Sequence, residues 1–337
     1  MDPLRIEVTR GPMVESVHRV SAAVVDATGR LVAAAGEPGL ITFWRSAAKP
    51  FQALPLLEDG VVDRFGLSDD ELALACASHS SEPIHRRVAA GFLAKIDATE
   101  DQLACGPHPP LGREIEREVI RDRITMTPIW SNCSGKHTGM LALARHHSWP
   151  LAGYQRLGHP VQTRLLTSVE RWTGLPREEI VCTVDGCTTV CYGLPLRAMA
   201  TAYARFGGSK ESAAALLRRI ILDHPQLIAG TRRLCTDLML AWPGEVFAKV
   251  GAEGVYSATI PGHGLGLSIK VEDGDFRSAG IALLAVIRQL LVQFGDPCGG
   301  LARLETLGEY AAPTIENTRG EPTGVVRAAG SVRFLDT

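Results

Sequence analysis

Ser46 and Lys49 stand three residues apart in RSAAKP, residues 45–50. On a helical turn that spacing puts a hydroxyl and an amine on one face. It is also the spacing with which a serine nucleophile takes a lysine as its base. A lysine base poses an energetic problem, because its ordinary pKa is ~10.4 while a useful base sits nearer ~7–8. A depression of about 3 units, worth ~4 kcal/mol, must come from burial or from a second cation. Lys249, in the glycine-bounded strand segment GEVFAKVG (Gly244–Gly251), is the best candidate for such a cation. Ser78, in CASHSSE (Cys76–Glu82), is a second hydroxyl, placed where the apolar periodicity of Asp69–Ser78 gives way to small polar residues. It reads as a helix-ending serine, a proton relay or a second nucleophile.

A further cluster lies in SNCSGKH, where Cys133, Lys136 and His137 fall within one turn at a helix start. That position favours thiolate. CTVDGCTTVC places Cys182, Cys187 and Cys191 around Asp185. Neither stretch has the C-x-x-C spacing of a zinc ribbon. Cys133 and Cys187, each near a glycine in a loop-like segment, read either as long-range metal partners or as buried packing cysteines. Cys76, Cys105 and Cys298 have no partner pattern and read as packing residues.

These side chains need elements to hold them. The hairpin RVSAAVVDATGRLVAAA has arms Arg19–Val25 and Arg30–Ala35 joined by Asp-Ala-Thr-Gly. A third arm, Leu40–Trp44, leads into Ser46. Pro50 lacks an N–H and fits only a first helical turn, so the helix begins near Ser46 and buries Phe51–Leu57. Ser68 and Glu71 form a capping box. Cys133–His147, His159–Trp172 and Ser209–His224 show helical periodicity. Gly244–Gly251 and Gly266–Gly274 read as strands, Arg277–Phe294 as a helix, and the tail from Thr323 as one or two further strands. Strands first, helices in the middle and strands last, without regular βαβ alternation, indicate an α+β fold with an antiparallel sheet and helical layers. The expected organisation is one catalytic domain over 1–337, with N- and C-terminal strands sharing a sheet around a mostly helical middle, about 60–240.

The 337 residues carry a net charge of −2 with both signs dispersed, which argues against a nucleic-acid partner. The chain has no basic amphipathic stretch to suggest a membrane surface. Its first twenty residues lack the apolar centre of a signal peptide. The most apolar run, Ile281–Phe294, contains Arg288 and Gln289 and is short for a bilayer, so it is expected to be a buried helix. A cytoplasmic location follows as the expectation, with the 8 cysteines mostly reduced.

Several stretches together resemble the rhizobial-type, or class 3, L-asparaginases, also called the asparaginase II family. They are GPMVESVHR (Gly11–Arg19), RSAAKP, CASHSSE, SNCSGKH, VDGC (Val184–Cys187), RLCT (Arg233–Thr236), KVGAEG (Lys249–Gly254) and GLSIKVEDG, in order along nearly the whole chain. Lys249-Val250-Gly251 is similar to the strand-borne K-T-G of serine β-lactamases. The resemblance implies a fold similar to serine β-lactamases and glutaminases, a homodimer, and hydrolysis of L-asparagine to L-aspartate and ammonia. It implies two Ser–Lys pairs, Ser46–Lys49 and Ser78–Lys249, and a zinc held by Cys133, Lys136 and Cys187. Asp185 matches an aspartate near the metal, and Cys235 a cysteine beside the site. The mechanism expected from it has Lys49, kept neutral by burial and by Lys249, deprotonating Ser46, which attacks the side-chain amide; Ser78 relays protons or is itself the nucleophile. The zinc would orient the substrate's head group rather than generate the nucleophile. Arg45 is the candidate for the substrate carboxylate, with Asp185 and His137 as further substrate-binding residues. The alternatives are a β-lactamase- or peptidase-type acyl-transfer enzyme and a non-catalytic zinc-binding relative.

Overall fold

Asp26 sets the first hairpin: its carboxylate accepts hydrogen bonds from the Thr28 backbone at 2.9 Å and hydroxyl at 2.6 Å, and Gly29 takes a left-handed φ of 88°. The strands Met13–Val25 and Leu31–Ala35 leave this turn antiparallel, as so short a connection requires. The structure, a computed structural model, describes residues 1–260, 262–297 and 299–335; Cys298 lies outside them. The chain divides into two compact units, Met1–Ala47 with Leu194–Gly208 and Asp237–Thr337, and Ala48–Gly193 with Ser209–Thr236.

The first unit is built on a nine-stranded sheet. Its main path runs Thr314–Glu316, Pro322–Ala329, Leu4–Arg10, Met13–Val25, Leu265–Val271, Val255–Ile260, Ala248–Gly251; Leu31–Ala35 joins Met13–Val25 to Arg333–Phe334. The recorded pairings are antiparallel, and the N- and C-terminal strands meet directly, with Arg5 opposite Ala329. Val255–Ile260 and Leu265–Val271 are buried at every position, so both sheet faces are covered there. Helix Leu196–Gly208 lies on one face; a Cβ at Gly266 would sit 2.0 Å from the Ala200 carbonyl oxygen, so only glycine allows that approach. The apolar helix Phe276–Phe294 packs on the strands Leu4–Arg10, Val255–Ile260, Leu265–Val271 and Pro322–Ala329. Its 19 residues are long and apolar enough to cross a membrane by length and composition, yet ten of its side chains are buried in this unit.

The second unit is mostly helical. Helix Lys49–Glu58 carries Pro50 in its first turn, where a missing N–H costs nothing, and buries every side chain from Lys49 to Leu56. Pro55 removes the N–H that would have bonded the Phe51 carbonyl; Ser168, on helix Pro160–Thr173, donates to that carbonyl instead at 2.7 Å. Helix Asp69–Ala75 opens on the Ser68–Glu71 capping box. It stops three residues before Ser78, because the Cys76 and Ala77 amides tighten onto Ala73 and Leu74 and the Ser78 amide leaves for the Ile228 carbonyl at 2.9 Å. Helices Ser134–His146, Pro160–Thr173 and Ser212–Asp223 lie where periodicity places them. The hairpin Val181–Val184 with Val190–Gly193 completes the unit.

Candidate active site

Within the second unit, the segment Cys76–Glu82 leaves helix Asp69–Ala75 and threads between two others. Its Ser78 amide is tied to Ile228, its His79 amide to the Asn132 carbonyl at 3.3 Å, and its Ser81 hydroxyl to the Trp130 carbonyl at 2.6 Å. Ser81 adopts a left-handed φ of 59°, the strain this winding path demands. Helix Ser134–His146 comes up against the same region through Gly135, where a Cβ would stand 2.3 Å from the Leu74 carbonyl oxygen.

Lys49, 1% exposed, reaches across from its own helix to this loop. Its Nζ lies 2.9 Å from Ser78 Oγ and also donates to the carbonyls of Ala77 and, at 3.4 Å, Asn132. Burial pushes the Lys49 pKa down; the nearby Cys133 opposes this and Lys136 adds to it. A neutral amine has two N–H bonds and one lone pair. In that form, with two carbonyls taking the N–H bonds, the lone pair would be left for the Ser78 O–H; in the structure Lys49 Nζ is the donor to Ser78 Oγ.

His79 is wholly buried and held well below the ordinary imidazole pKa, first by burial and then by the charges of His85, Lys49 and Arg233. Its Nδ1 accepts from the Ser81 amide at 3.2 Å, so the proton sits on Nε2 and is donated to Ser134 Oγ at 2.9 Å. His79 thereby ties the Ser78 loop to the start of helix Ser134–His146.

That helix start holds the sulfur cluster. Cys133 precedes the helix, and Lys136 Nζ donates to Cys187 Sγ at 3.0 Å. The turn Asp185–Thr188, closed by a 2.8 Å bond from the Thr188 amide to the Asp185 carbonyl and a left-handed Thr188, presents Cys187. The Cys133 thiol donates to Cys187, which raises Cys133 to about 12, with burial adding to the effect, and lowers Cys187 to about 5 against its burial. Burial disfavours charge on Lys136, but Cys187, Cys133 and Asp185 outweigh it and raise its pKa. His137 beside it is kept neutral, down to about 3, by burial and then by Lys136. The Tyr154 hydroxyl accepts from the Ala104 amide at 2.9 Å and bonds His137 Nδ1 at 2.7 Å. Among the described residues no three His, Cys, Asp or Glu side chains gather at one point. The convergent donor set is two sulfurs and an amine, Cys133, Cys187 and Lys136, which is a set that suits zinc once thiol and ammonium lose their protons. Cys235 is buried at the start of helix Leu234–Ala241.

Arg45, Ser46 and Lys249 belong to the first unit. Lys249 is fully buried on the strand Ala248–Gly251, directly opposite Ser257, which in turn faces Ser268. Directly opposed residues share a face, so a row Lys249–Ser257–Ser268 crosses the sheet. Trp44 Nε1 donates to Ser257 at 3.2 Å, and a Cβ at Gly251 would come within 2.9 Å of the Trp44 carbonyl oxygen. Tyr203 holds the far side of the same turn, donating to the Ala47 carbonyl at 2.9 Å. Half-buried Ser46 and Arg45, the latter at a left-handed φ of 53°, thus sit in a turn laid against the strand of Lys249.

A sequence model of the L-asparaginase II family matches residues 6–328. The chain belongs to the L-asparaginase II family. No curated protein matches it. Membership supports an amidohydrolase of the asparaginase type, acting on a small molecule. Four polar groups of this L-asparaginase II family member had no role in the sequence reading: the Asn132 carbonyl, His79, Ser134 and Tyr154. Ser134 lay within the SNCSGKH stretch and His79 within CASHSSE, so their segments were marked although their bonds were not; Tyr154 left no signal.

Proposed function

We propose that the protein hydrolyses L-asparagine to L-aspartate and ammonia, with Ser78 and Lys49 as the acyl-forming pair. Family membership supports the reaction. The 2.9 Å contact of Lys49 with Ser78, in a buried setting that favours neutral amine, supports the pair. Lys49 takes the Ser78 proton as Oγ attacks the side-chain amide carbon, giving a tetrahedral adduct. The C–N bond then breaks as Lys49 returns the proton to nitrogen, and ammonia leaves an ester on Ser78. Water, deprotonated by the same lysine, adds to the ester carbon; Ser78 departs with the proton and aspartate is released. The Ser78 and His79 amides are engaged by Ile228 and Asn132, so neither serves as the oxyanion donor. Cys133, Lys136 and Cys187 fit a zinc ion with a position left open, and bound there it would orient the substrate's head group.

A second reading makes Ser46 the acylated residue. The turn that holds it against the Lys249 strand, and its place three residues before Lys49, favour that assignment. Ammonia release from asparagine by Ser78→Ala, Ser46→Ala and Lys49→Met decides between them. We expect Lys49→Met to lose about 10²–10⁴ of kcat, the usual worth of a general base, and Ser78→Ala at least as much. Full activity in Ser78→Ala with loss in Ser46→Ala would reverse the order. Turnover of a chromogenic β-lactam without turnover of asparagine would replace the reading with the acyl-transfer alternative.

A further inference from the structure

Arg233 stands out among the basic residues of the second unit. It is half-buried, and its Nη1 donates to the hydroxyl of buried Ser80 at 3.1 Å; among the described residues no carboxylate pairs with it. Its neighbour Arg232 is different, exposed and 3.4 Å from Glu114. Glu82, which meets Ser80 across Gly230, makes no ion pair with Arg233, and its oxygens are directed to neutral donors. They accept from the Thr231 amide at 2.7 Å, the Thr231 hydroxyl at 3.2 Å and Gln226 at 3.1 Å. Gly230, at φ 120°, makes this possible: a Cβ there would fall 2.6 Å from Glu82 and 2.9 Å from Ser80. The backbone is therefore folded tightly to bring Arg233 onto Ser80. Burying a cation part-way without an anion costs free energy unless a ligand supplies the charge.

Ser80 follows Ser78 by two residues, a span of at most about 7 Å. The amide carbon of asparagine is joined to its α-carboxylate carbon through two carbons, about 4 Å, and a hydrogen bond from the carboxylate to a guanidinium adds about 3 Å. The other titratable groups around Arg233 add no negative charge: His79 and His85 are both held below the ordinary imidazole value, chiefly by burial. We infer that Arg233 receives the α-carboxylate of the substrate whose side-chain amide is attacked at Ser78. This deepens the asparaginase reading and rests on it. It also moves the carboxylate contact from Arg45, the sequence candidate, to a residue on the same unit as the Ser78–Lys49 pair. A guanidinium suits the role because its fork binds a carboxylate through two parallel hydrogen bonds.

The test compares L-asparagine with 3-aminopropanamide, the same molecule with hydrogen in place of the carboxylate, on the full chain. In Arg233→Met the loss of kcat/KM for asparagine, expected at about 100-fold and mainly in KM, should exceed the loss for 3-aminopropanamide at least tenfold. Arg233→Lys should recover part of the asparagine loss, since it restores charge but not the fork. Urea unfolding of each variant accompanies the kinetics, and the ratio between substrates is read on the folded fraction, so a general loss of fold moves both substrates alike. Equal losses on both substrates, or an unaltered KM for asparagine, would overturn the role of Arg233 while leaving the asparaginase reading in place. A wild-type chain inactive on asparagine would overturn both.

Discussion

Gly135→Ala sets two known effects against each other. In a helix interior alanine is worth ~1 kcal/mol more than glycine; at Gly135, the second residue of helix Ser134–His146, propensity favours the substitution by less than that. The new Cβ, however, would lie 2.3 Å from the Leu74 carbonyl oxygen and 2.7 Å from Leu74 Cγ. An ordinary C···O approach is ~3.3 Å, so the helix start and the end of helix Asp69–Ala75 must separate by about 1 Å. Overpacking of this kind costs ~1–3 kcal/mol and occasionally more, and here the obstacle is backbone, which cannot rotate away. We expect a net destabilisation of about 2 kcal/mol in urea unfolding. The shift also moves Cys133, Lys136 and the Ser134–His79 contact relative to Ser78, and a 1 Å misplacement costs about 100-fold in rate. Ammonia release from asparagine should fall by that order while the protein remains folded. Gly106→Ala is the control, since its Cβ would meet nothing within 4 Å; it should stay within about 0.5 kcal/mol of wild type. A Gly135→Ala protein as stable and as active as the control would refute the close approach on which the site geometry depends.

Two further outcomes are expected. His79 has a depressed pKa in the fold, so the unfolded chain binds its proton first; the stability it contributes is present above ~6.5 and is lost as pH falls below that value. Over that window the wild type should lose about 1.4 kcal/mol per pH unit more than His79→Gln, and parallel stability–pH curves from urea titrations would contradict this. Cys133→Ser and Cys187→Ser should each abolish stoichiometric zinc in protein expressed with the metal, whereas Cys182→Ser should retain it; elemental analysis of the purified variants that finds equal zinc in all three removes the sulfur–amine site.

The sequence carried the first hairpin, Pro50 in a first helical turn and the Ser68–Glu71 cap, because turn residues, proline and capping pairs act within a few residues of themselves; the α-helix itself starts at Lys49, three residues after the expected Ser46, and the strands Leu4–Arg10 and Val255–Ile260 had no local signal of that kind. The pairing of Lys49 was less legible. A lysine three residues after a serine reaches either back along its own turn or outward, and which it does depends on Ser78 and two carbonyls 28 and 83 residues further along. The early end of helix Asp69–Ala75 has the same character: local periodicity runs on to Ser78, but the Ile228 carbonyl takes the amide that would have continued the helix. The residues alone left Cys133 and Cys187 open between metal partners and packing cysteines, and only the family resemblance joined them; the position of His79 between Ser81 and Ser134 depends on three backbone segments packing together. Arg233 was visible only as one of two adjacent arginines; what separates them is that Glu114 pairs with Arg232 and Glu82 is fully occupied elsewhere.

The antiparallel pairing of Leu4–Arg10 with Pro322–Ala329 has a bearing on synthesis. The helical unit has its last residue at Thr236, and its pieces can assemble once that stretch has left the ribosome. The sheet cannot: its first strand waits, one edge bare, for a neighbour translated some three hundred residues later. Loop-closure entropy rises only logarithmically with that separation, so the delay is a matter of time rather than of final stability. During that interval a nascent chain is exposed to wrong strand partners, and arrest short of Pro322 would leave the amino-terminal strand as a template for aggregation.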